Sequence, residues 1–448
     1  MAALVKKMLS LSACVAMAIG LLAGCGSNSE GNGSPASGNP ESSPSASAPA
    51  SATTGADTAS DKPATIHMFI ASPEYTDAFN AFVAEYKKVK PNITIELQVT
   101  QADYPTLLKA KIASGDLPDV FQSTAGGELK QYAEYSADLT DEPLAGVLSD
   151  SAKKNMTLDG KLLGIPFKIN LFSLIYNKQL FADAGITEVP KTTAQLEDAV
   201  AKLEAKGITP FANGYKEWWV QKHIFQHFLD AESDNPEQLV NDFIAGRTTF
   251  KDHPTLMKYF DFIDMTVKHG LPKQLEKDNA TETSDFASGK TAIMTGQGAW
   301  AEEGVVKINP EIQLGIMGYP INDDPSKSMI ITGADAGFRI NKDSEVLQET
   351  KDFFNWLYTS DYGKTWFPDV AKIISPIKDG TMPNLQMPTA MGELLKTEKA
   401  GESSVIYSLD SFHQKFGEIM QGYIGKSKTK EQAIEEIQKA WIQLGAAK

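Results

Sequence analysis

The sequence predicts an α/β fold with two lobes, each a mixed, mostly parallel sheet flanked by helices. Segments that alternate between apolar and polar residues, as strands do, are separated by segments with apolar residues at helical spacing. Strands that alternate with helices favour parallel pairing, because a parallel connection needs a crossover. This pattern continues from Pro63 to Lys448. That length is too great for one ordinary core, so we predict two lobes.

The first strand–helix–strand unit shows these signals most clearly. Thr65 to Ile70 is β-branched and apolar, as a buried strand is. Ser72 and Pro73 then supply an N-cap and a first helical residue, and apolar side chains follow at helical spacing until Pro91 ends the helix. Residues 93–99 alternate between apolar and polar, which predicts a strand with one buried face.

Later segments repeat the pattern. A helix over about 103–114 leads to a short strand at 119–122. Two further helices begin with a capping box, in which a threonine and a glutamine three residues later bond to each other's backbone: Thr192 with Gln195, and Thr429 with Gln432. Ligands of open α/β sheets lie beyond the carboxyl ends of the strands. The loops at 72–74 and 123–127 are therefore predicted to face a ligand.

The N-terminus has the pattern of a secretory signal. Lys6 and Lys7 precede an apolar run over 8–23, which is shorter than the roughly 20 residues of a spanning helix. Residues 1–24 are interpreted as a signal peptide. Cys25 follows the predicted cleavage site, and this arrangement resembles the lipobox of bacterial lipoproteins, in which the cysteine is lipidated.

Residues 25–63 are predicted to hold the lipidated Cys25 and a flexible linker. Ser, Ala, Gly, Pro, Asn and Thr dominate this segment, and such a composition cannot bury enough apolar surface to fold. The only other cysteine, Cys14, lies within the signal, so no disulfide framework is expected. The formal net charge of −15 argues against nucleic acid or an anionic lipid surface as a partner.

Two motifs carry a resemblance to a known family. Gly160 to Phe167, followed by Leu174 to Lys178, resembles the central signature of extracellular solute-binding proteins that deliver sugars to ABC importers. Phe286 to Met294, running into Gly296 to Trp300, is similar to a second segment of that family. The resemblance extends from residue 64 onward and is to the family 1 type, similar to maltose- and oligosaccharide-binding proteins.

The resemblance implies a periplasmic-binding-protein-like fold, in which the chain crosses between the lobes more than once. The implied N-terminal lobe is 64–170 plus 301–338, and the implied C-terminal lobe is 171–300 plus 339–448. The crossings would lie near 168–171, near Trp300 and near 339–341, and the expected hinge residues are Lys168, Asn170 and Arg339. Ligand held between the lobes favours closure.

The resemblance also implies partners and location. The chain would bind a carbohydrate and deliver it to ABC permease subunits in the membrane, whose ATPase is a separate protein. It would act as a monomer without cofactor, metal or catalysis. It would remain outside the cell membrane, attached only through its lipid.

A sugar site needs aromatic faces for the C–H surfaces of the ligand and fixed polar groups for its hydroxyls. Such residues occur where the family builds its cleft, and the predicted ligand-binding residues are Glu74, Ser123, Asn213, Tyr215, Glu217, Trp218, Trp219, Gln297, Trp300, Asp335, Asp410 and Phe412. Adjacent side chains cannot share one face of a helix, so one of the two neighbouring tryptophans is expected in the core or at the surface. Glu74 and Asp410 could instead serve helix N-termini.

Three alternatives remain open at this point. The ligand could be another small polar solute. A surface glycan hydrolase would also combine tryptophans with carboxylates, although no pair of carboxyls is marked in the sequence. A metal could bind His223 and His227, one helical turn apart, but the intervening residues lack the acid of a metalloprotease helix. Gly289-Lys290-Thr291 resembles the end of a P-loop, but serine stands where its first glycine belongs.

Overall fold

The structure, a computed structural model, describes residues 62–100 and 103–446. The predicted signal peptide, Cys25 and nearly all of the predicted linker lie outside the described residues. The described residues belong to one compact unit. Within these two ranges, every helix falls short of the length or the apolar character that crossing a bilayer requires.

The strands are short and interspersed with helices, as the sequence predicts. They are β1 (Ala64–Ile70), β2 (Ile93–Val99), β3 (Val120–Thr124), β4 (Thr157–Leu158), β5 (Lys161–Leu162), β6 (Ile165–Pro166), β7 (Asn170–Phe172), β8 (Leu174–Asn177), β9 (Thr209–Ala212), β10 (Thr291–Met294), β11 (Leu314–Met317), β12 (Ile331–Gly333) and β13 (Ala336–Ile340).

The α-helices of the described residues are distributed along the whole of both ranges. They are α1 (Thr76–Val89), α2 (Tyr104–Ser114), α3 (Gly127–Gln131), α4 (Pro143–Val147), α5 (Asp150–Lys154), α6 (Lys178–Asp183), α7 (Thr193–Ala205), α8 (Trp218–Glu232), α9 (Pro236–Ile244), α10 (Pro254–Lys268), α11 (Asn279–Ala287), α12 (Ala301–Ile308), α13 (Leu347–Thr359), α14 (Asp361–Thr365), α15 (Gln386–Leu394), α16 (Asp410–Ile424) and α17 (Lys430–Leu444).

The helix starts agree with the sequence signals at α7 and α17, where both predicted capping boxes form. The start of α1 differs. Ser72 and Pro73 begin a 3-10 turn rather than the α-helix, and Thr76 is the first residue of α1. The Ser72 hydroxyl bonds to the side chain of Gln122 instead of capping the turn. This contact between the segment after β1 and strand β3 replaces the local cap that the sequence predicts.

The two larger of the four sheets in the described residues give the fold its two halves. The first has the order β2-β1-β3-β13-β6, and the second has the order β11-β8-β10-β9. Pairing is parallel between β1 and its neighbours β2 and β3, and between β9 and β10. The other pairs in the two sheets are antiparallel, because strands such as β13 return to a sheet after long excursions. The α/β class is therefore confirmed, with more antiparallel pairs than the mostly parallel prediction.

Strand pairing divides the segment 301–338, which was predicted to lie in one lobe. β11 pairs with β8 in the second sheet, whereas β13 pairs with β3 and β6 in the first. The chain thus passes from the second sheet to the first between these two strands, and not at Trp300 or 339–341. The C-terminal segment is divided too, since Phe353 packs in the core of the first sheet and Phe412 in the core of the second.

The predicted crossing at 168–171 agrees with the strand pairing. β6 belongs to the first sheet and β8 to the second, and residues 168–171 connect them. Between the sheets, β7 pairs with β12, and Ile169 forms a bridge to Ile374. Several strands therefore connect the two halves at this point, rather than a single linker.

Candidate functional site

A cavity of about 860 Å³, including its open mouth, lies between the first sheet and the helices of the second half of the fold. Six of the predicted ligand-binding residues line it: Glu74, Trp218, Trp219, Trp300, Asp335 and Asp410. Two of the predicted hinge residues, Lys168 and Asn170, line it as well. The residues of the connecting segment thus form part of the wall of the site.

Both neighbouring tryptophans line the cavity, although one was expected to face away. Trp218 and Trp219 are the first two residues of α8. Side chains of successive helical residues point about 100° apart, so the two indoles diverge from the end of the helix. The cavity extends around this end and contacts both.

The remaining predicted residues do not line the cavity. Asn213 and Tyr215 are buried and bond to Thr266, and Phe412 is buried against Trp441 with the ring centroids 3.7 Å apart. Glu217 precedes α8 and accepts from the backbone N–H of Asn279. These side chains support the walls of the site or the core of the second sheet.

The position of Ser123 is set by strand alternation. In β3, Gln122 and Thr124 line the cavity, and Ser123 points to the opposite face. There its hydroxyl accepts from Nε of Arg339 and donates to the carbonyl oxygen of Thr124. Arg339 is 1% exposed and also donates to the carbonyl oxygens of Leu163 and Thr124, at 3.0 Å each. It therefore fixes strands within the first sheet, which is not the hinge role predicted for it.

An aromatic cluster forms one wall of the cavity. The ring of Trp300 lies edge-on to Phe172 and to His223, with centroid distances of 5.4 Å in both cases, and Trp219 lies 6.5 Å away. Trp300 packs against three hydrophobic clusters of the protein at once. Its indole consequently occupies the junction between the two halves.

Hydrogen bonds hold Trp300 in this orientation. Its Nε1 donates to Oε1 of Gln297 at 3.0 Å, and Nε2 of Gln297 donates to Oε2 of Glu282 at 2.8 Å. Glu282 is fully buried, and burial raises its pKa to about 8. Gln297 was predicted to contact the ligand; its side chain instead positions the tryptophan that does line the site.

One lysine on the first-sheet side of the cavity is held by acidic and phenolic groups. Nζ of Lys168 donates to the hydroxyl of Tyr75 at 3.0 Å and lies 3.9 Å from Oε1 of Glu74. Burial lowers the pKa of Lys168, while the charges of Glu74 and Asp335 oppose that shift. Burial raises the pKa of both carboxyls, and Lys168 opposes it. Asp335 also accepts a hydrogen bond from Nδ2 of Asn170.

A second buried ion pair lies on the opposite side. Asp410, the first residue of α16, accepts from Nζ of Lys222 at 2.8 Å and contacts Nδ1 of His413 at 3.1 Å. Burial favours the neutral acid, but Lys222 and His413 outweigh it and lower the pKa of Asp410. Lys222 also lies over the ring of Trp218, 5.2 Å from its centroid. The pair therefore supports one of the aromatic walls.

Asp410→Asn is expected to lower the free energy of unfolding by about 3 kcal/mol at pH 7, because Lys222 would lose its buried partner. The pKa of Asp410 is lowered in the folded state, so its stabilisation is complete above the ordinary value of 3.8 and is lost only as the pH falls well below that value, through the lowered pKa. Urea unfolding of the variant and of the unaltered chain at pH 7 measures the loss of stability.

Asp361→Asn provides the matched control for this prediction. Asp361 is likewise the first residue of a helix, but its side chain is fully exposed. Its substitution is expected to change stability by less than about 0.5 kcal/mol. Equal effects of the two substitutions would indicate a helix-dipole role for Asp410 and would contradict the buried ion pair.

Several polar atoms of the cavity walls have no hydrogen-bond partner within the described part of the chain. They are Oγ1 of Thr124, Nε1 of Trp218, Nε1 of Trp219 and Oδ1 of Asn279. Both donors and acceptors are represented. Buried polar groups are normally paired, and these atoms stand unpaired in the layer of side chains directly around the cavity.

Sequence reasoning missed several lining residues, including Tyr104, Gln122, Phe172, Lys222 and His223. Two of them had a signal. Lys222 and His223 follow Trp218 and Trp219 by one helical turn and therefore share their face of α8. Gln122 immediately precedes the loop 123–127, which was predicted to face the ligand. Among the described residues, no group of three or more His, Cys, Asp and Glu side chains is arranged to hold a metal ion.

Comparison with known proteins gives a consistent result. Residues 72–364 match the family model described as bacterial extracellular solute-binding protein. The chain is 26% identical over 326 residues to the melibiose/raffinose/stachyose-binding protein MelE of Bacillus subtilis, covering 68% of this chain and 72% of that protein. It is 25% identical over 337 residues to the sn-glycerol-3-phosphate-binding periplasmic protein UgpB of Pectobacterium atrosepticum, covering 70% and 73%.

The fold has a counterpart among solved structures. A chitin oligosaccharide binding protein superposes with a TM-score of 0.75 at 20% sequence identity, covering 86% of this chain and 99% of that one. The family match spans more than half of the chain and contains both sequence motifs and most of the cavity walls. The chain therefore belongs to the bacterial extracellular solute-binding protein family.

Proposed function

We propose that the chain is the substrate-binding receptor of an ABC importer and that it captures a carbohydrate in the cavity between the two sheets. The observation that carries this proposal is the composition of the walls. Tryptophans stand beside polar atoms that lack partners, and the lysines are already paired with carboxylates. A neutral, polyhydroxylated ligand matches all three properties.

The aromatic wall suits the apolar faces of a sugar ring. Trp218, Trp219 and Trp300 present indole surfaces to the same cavity, and aromatic faces bury C–H surfaces while leaving the hydroxyls free to hydrogen-bond. Hydroxyls, which both donate and accept, can then bond to the polar side chains that line the walls, such as Glu74, Asn170 and Asp335.

The charges of the cavity favour a neutral ligand over an anionic one. Of the described residues that line it, Lys168 lies near Glu74 and Lys222 pairs with Asp410. Asp335 adds a third carboxylate. A phosphate ester would have to displace one of these carboxylates from its lysine, whereas a sugar would not. A ligand such as that named for UgpB is therefore disfavoured here.

The proposed mechanism is closure around the ligand. The walls come from both halves of the fold, from strands of the first sheet and from helices α8 and α16 that pack in the core of the second, so a ligand that contacts both halves stabilises the closed arrangement over the open one. We propose lobes of 64–167 plus 336–373 and of 171–333 plus 386–446, which follow the sheets and their cores. The closed monomer would be recognised by permease subunits that use a separate ATPase.

We also propose that the chain has no catalytic activity and is attached to the outside of the bacterial cell membrane through lipidated Cys25. The carboxylates of the cavity are engaged rather than poised for acid–base chemistry, since Asp410 pairs with Lys222 and Asp335 accepts from Asn170. Metabolic labelling with a palmitate analogue, with Cys25→Ser as the control, tests the anchor.

Thermal unfolding in the presence of candidate ligands tests the carbohydrate proposal. The panel contains melibiose, raffinose, stachyose and diacetylchitobiose, with sn-glycerol-3-phosphate, amino acids and divalent metals as controls. A ligand at 100 times its Kd stabilises the folded state by about 2.7 kcal/mol, so a sugar that binds is expected to raise the Tm by several degrees.

The controls distinguish the alternatives. A response to sn-glycerol-3-phosphate with no response to sugars would leave the family assignment in place and overturn the carbohydrate proposal. Chromatography would detect shorter products released from a sugar that binds. Such products would indicate a hydrolase instead of a receptor.

A further inference from the structure

His223 occupies the centre of the aromatic wall. Its ring centroid lies 4.9 Å from that of Phe172, 5.2 Å from Trp219 and 5.4 Å from Trp300. The side chain is partly buried and lines the cavity. An imidazole at this position differs from its neighbours because it can hydrogen-bond through a ring nitrogen.

The hydrogen bond made by Nδ1 of His223 determines whether Nε2 is a donor or an acceptor. Nδ1 of His223 lies 3.2 Å from the carbonyl oxygen of Gly296. A carbonyl oxygen can only accept, so Nδ1 carries the proton and donates it. Burial and the neighbouring charge of Lys222 lower the pKa of His223 well below 6.5, while Gly296 and Asp410 oppose this shift and His413 adds to it. In the neutral ring Nε2 therefore has a free lone pair.

No group in the described ranges satisfies this lone pair. The hydrogen bond of His223 within the described structure is the one made by Nδ1, and the ring borders the open space of the cavity. Tryptophan and phenylalanine rings surround this acceptor, so a ligand or a water molecule is the available hydrogen-bond donor for Nε2. The site thus presents one acceptor in a wall that otherwise offers indole donors.

We infer that Nε2 of His223 accepts a hydrogen bond from a hydroxyl of the bound sugar and so determines which sugars the cavity selects. This inference rests on the proposed function. The ligand must present an O–H or N–H donor at this point while its apolar face lies against the tryptophans. A sugar in which that hydroxyl is replaced by hydrogen or fluorine cannot donate, and the buried acceptor is left unpaired.

The chain contains a matched control on the same helix. Nδ1 of His227 also lies 3.2 Å from a carbonyl oxygen, that of Met329, and its ring stacks on Tyr319 with the centroids 4.0 Å apart. His227 is buried and is absent from the cavity walls. His223→Phe and His227→Phe therefore remove equivalent backbone contacts, but only the first changes the site.

Calorimetric titration of the two variants and the unaltered chain tests the inference. The titrants are raffinose, melibiose and diacetylchitobiose, and then the monodeoxy and monofluoro derivatives of whichever sugar binds. We expect His223→Phe to weaken binding about 10- to 100-fold, the range for a buried group left unpaired, and His227→Phe to change it less than about threefold. One deoxy position should weaken binding to the unaltered chain but not further weaken binding to His223→Phe.

The outcomes separate the two proposals. If the unaltered chain binds none of the sugars, the carbohydrate proposal fails and the role of His223 fails with it. One outcome would be that the chain binds a sugar and that His223→Phe binds it with an affinity within about threefold. Another would be that every deoxy sugar loses the same factor of affinity in both proteins. Either outcome would leave the receptor proposal in place and show that the acceptor role is wrong. Thermal unfolding of each variant confirms that a loss of binding is not a loss of fold.

Discussion

Trp300→Ala is expected to weaken sugar binding about 30-fold or more. A central aromatic residue in a desolvated site contributes at least about 2 kcal/mol to binding when truncation to alanine is measured. Trp300 meets this description, since it lines the cavity and contacts Phe172, Trp219 and His223 at the junction of the two halves. Its removal would also leave Gln297 without the indole that it holds. Isothermal titration with the sugar identified by the thermal panel measures the loss.

Trp300→Phe separates stacking from the hydrogen bond to Gln297. Phenylalanine keeps an aromatic face in the cavity but cannot donate to Oε1 of Gln297. Since that donor is used within the protein, we expect the phenylalanine variant to lose less than about tenfold in affinity. A loss as large as that of the alanine variant would indicate that orientation of the indole, rather than its face, determines binding.

Trp356→Ala is the matched control for the alanine substitution. Trp356 is also partly buried among aromatics, with its ring centroid 5.3 Å from that of Tyr362, but it does not line the cavity. Its substitution is expected to lower the Tm and to leave sugar affinity within about threefold. If both alanine variants lost affinity equally, a general loosening of the fold would explain the result, and the binding role of Trp300 would be wrong.

The fold class and several helix starts could be predicted from the sequence because they depend on local patterns. Alternation and helical spacing report which face of an element is buried, and the capping boxes at Thr192 and Thr429 are complete within four residues. The division between the two sheets is not local. Assignment of β11 to the second sheet depends on pairing with β8, which lies far away in the sequence.

The site could be predicted to the level of segments but not always to the level of side chains. The segment 123–127 was predicted to face a ligand, and Thr124 is the residue of it that lines the cavity. A shift of one residue in a strand reverses the facing direction, so Gln122 and Thr124 line the cavity and Ser123 does not. Aromatic residues present a similar difficulty. Phe412 and Trp219 are equally suited to core or cavity by type, and only tertiary packing distinguishes them.

Asp230→Asn is expected to stabilise the folded protein increasingly as the pH rises. Asp230 lies on α8 with 8% of its surface exposed, and neither carboxyl oxygen has a hydrogen-bond partner of normal geometry. Burial raises its pKa from 3.8 to about 8, the backbone of Glu402 lowers it in part, and the charge of Glu402 raises it further. The folded protein therefore carries one more proton than the unfolded chain between these two values.

This proton difference fixes the sign of the pH dependence. Protonated Asp230 contributes to the free energy of unfolding. This contribution is complete below pH 3.8 and is lost as the pH rises toward 8. Each pKa unit corresponds to about 1.4 kcal/mol, so the stability of Asp230→Asn relative to the unaltered chain should increase by about 3 kcal/mol between pH 5 and pH 8. Asparagine has nearly the same shape and does not ionise, which isolates this contribution.

Urea unfolding of the two proteins at pH 5 and pH 8 measures the difference, and Asp261→Asn serves as the control. Asp261 is more than half exposed and lies in surface ion pairs with Lys258 and Lys430, so its substitution should change stability by less than about 1 kcal/mol at either pH. Parallel pH profiles for Asp230→Asn and the unaltered chain would show that Asp230 is ionised within the fold. In that case a water molecule or a shift of the segment around Gly401, which packs directly against this carboxyl, must solvate the charge.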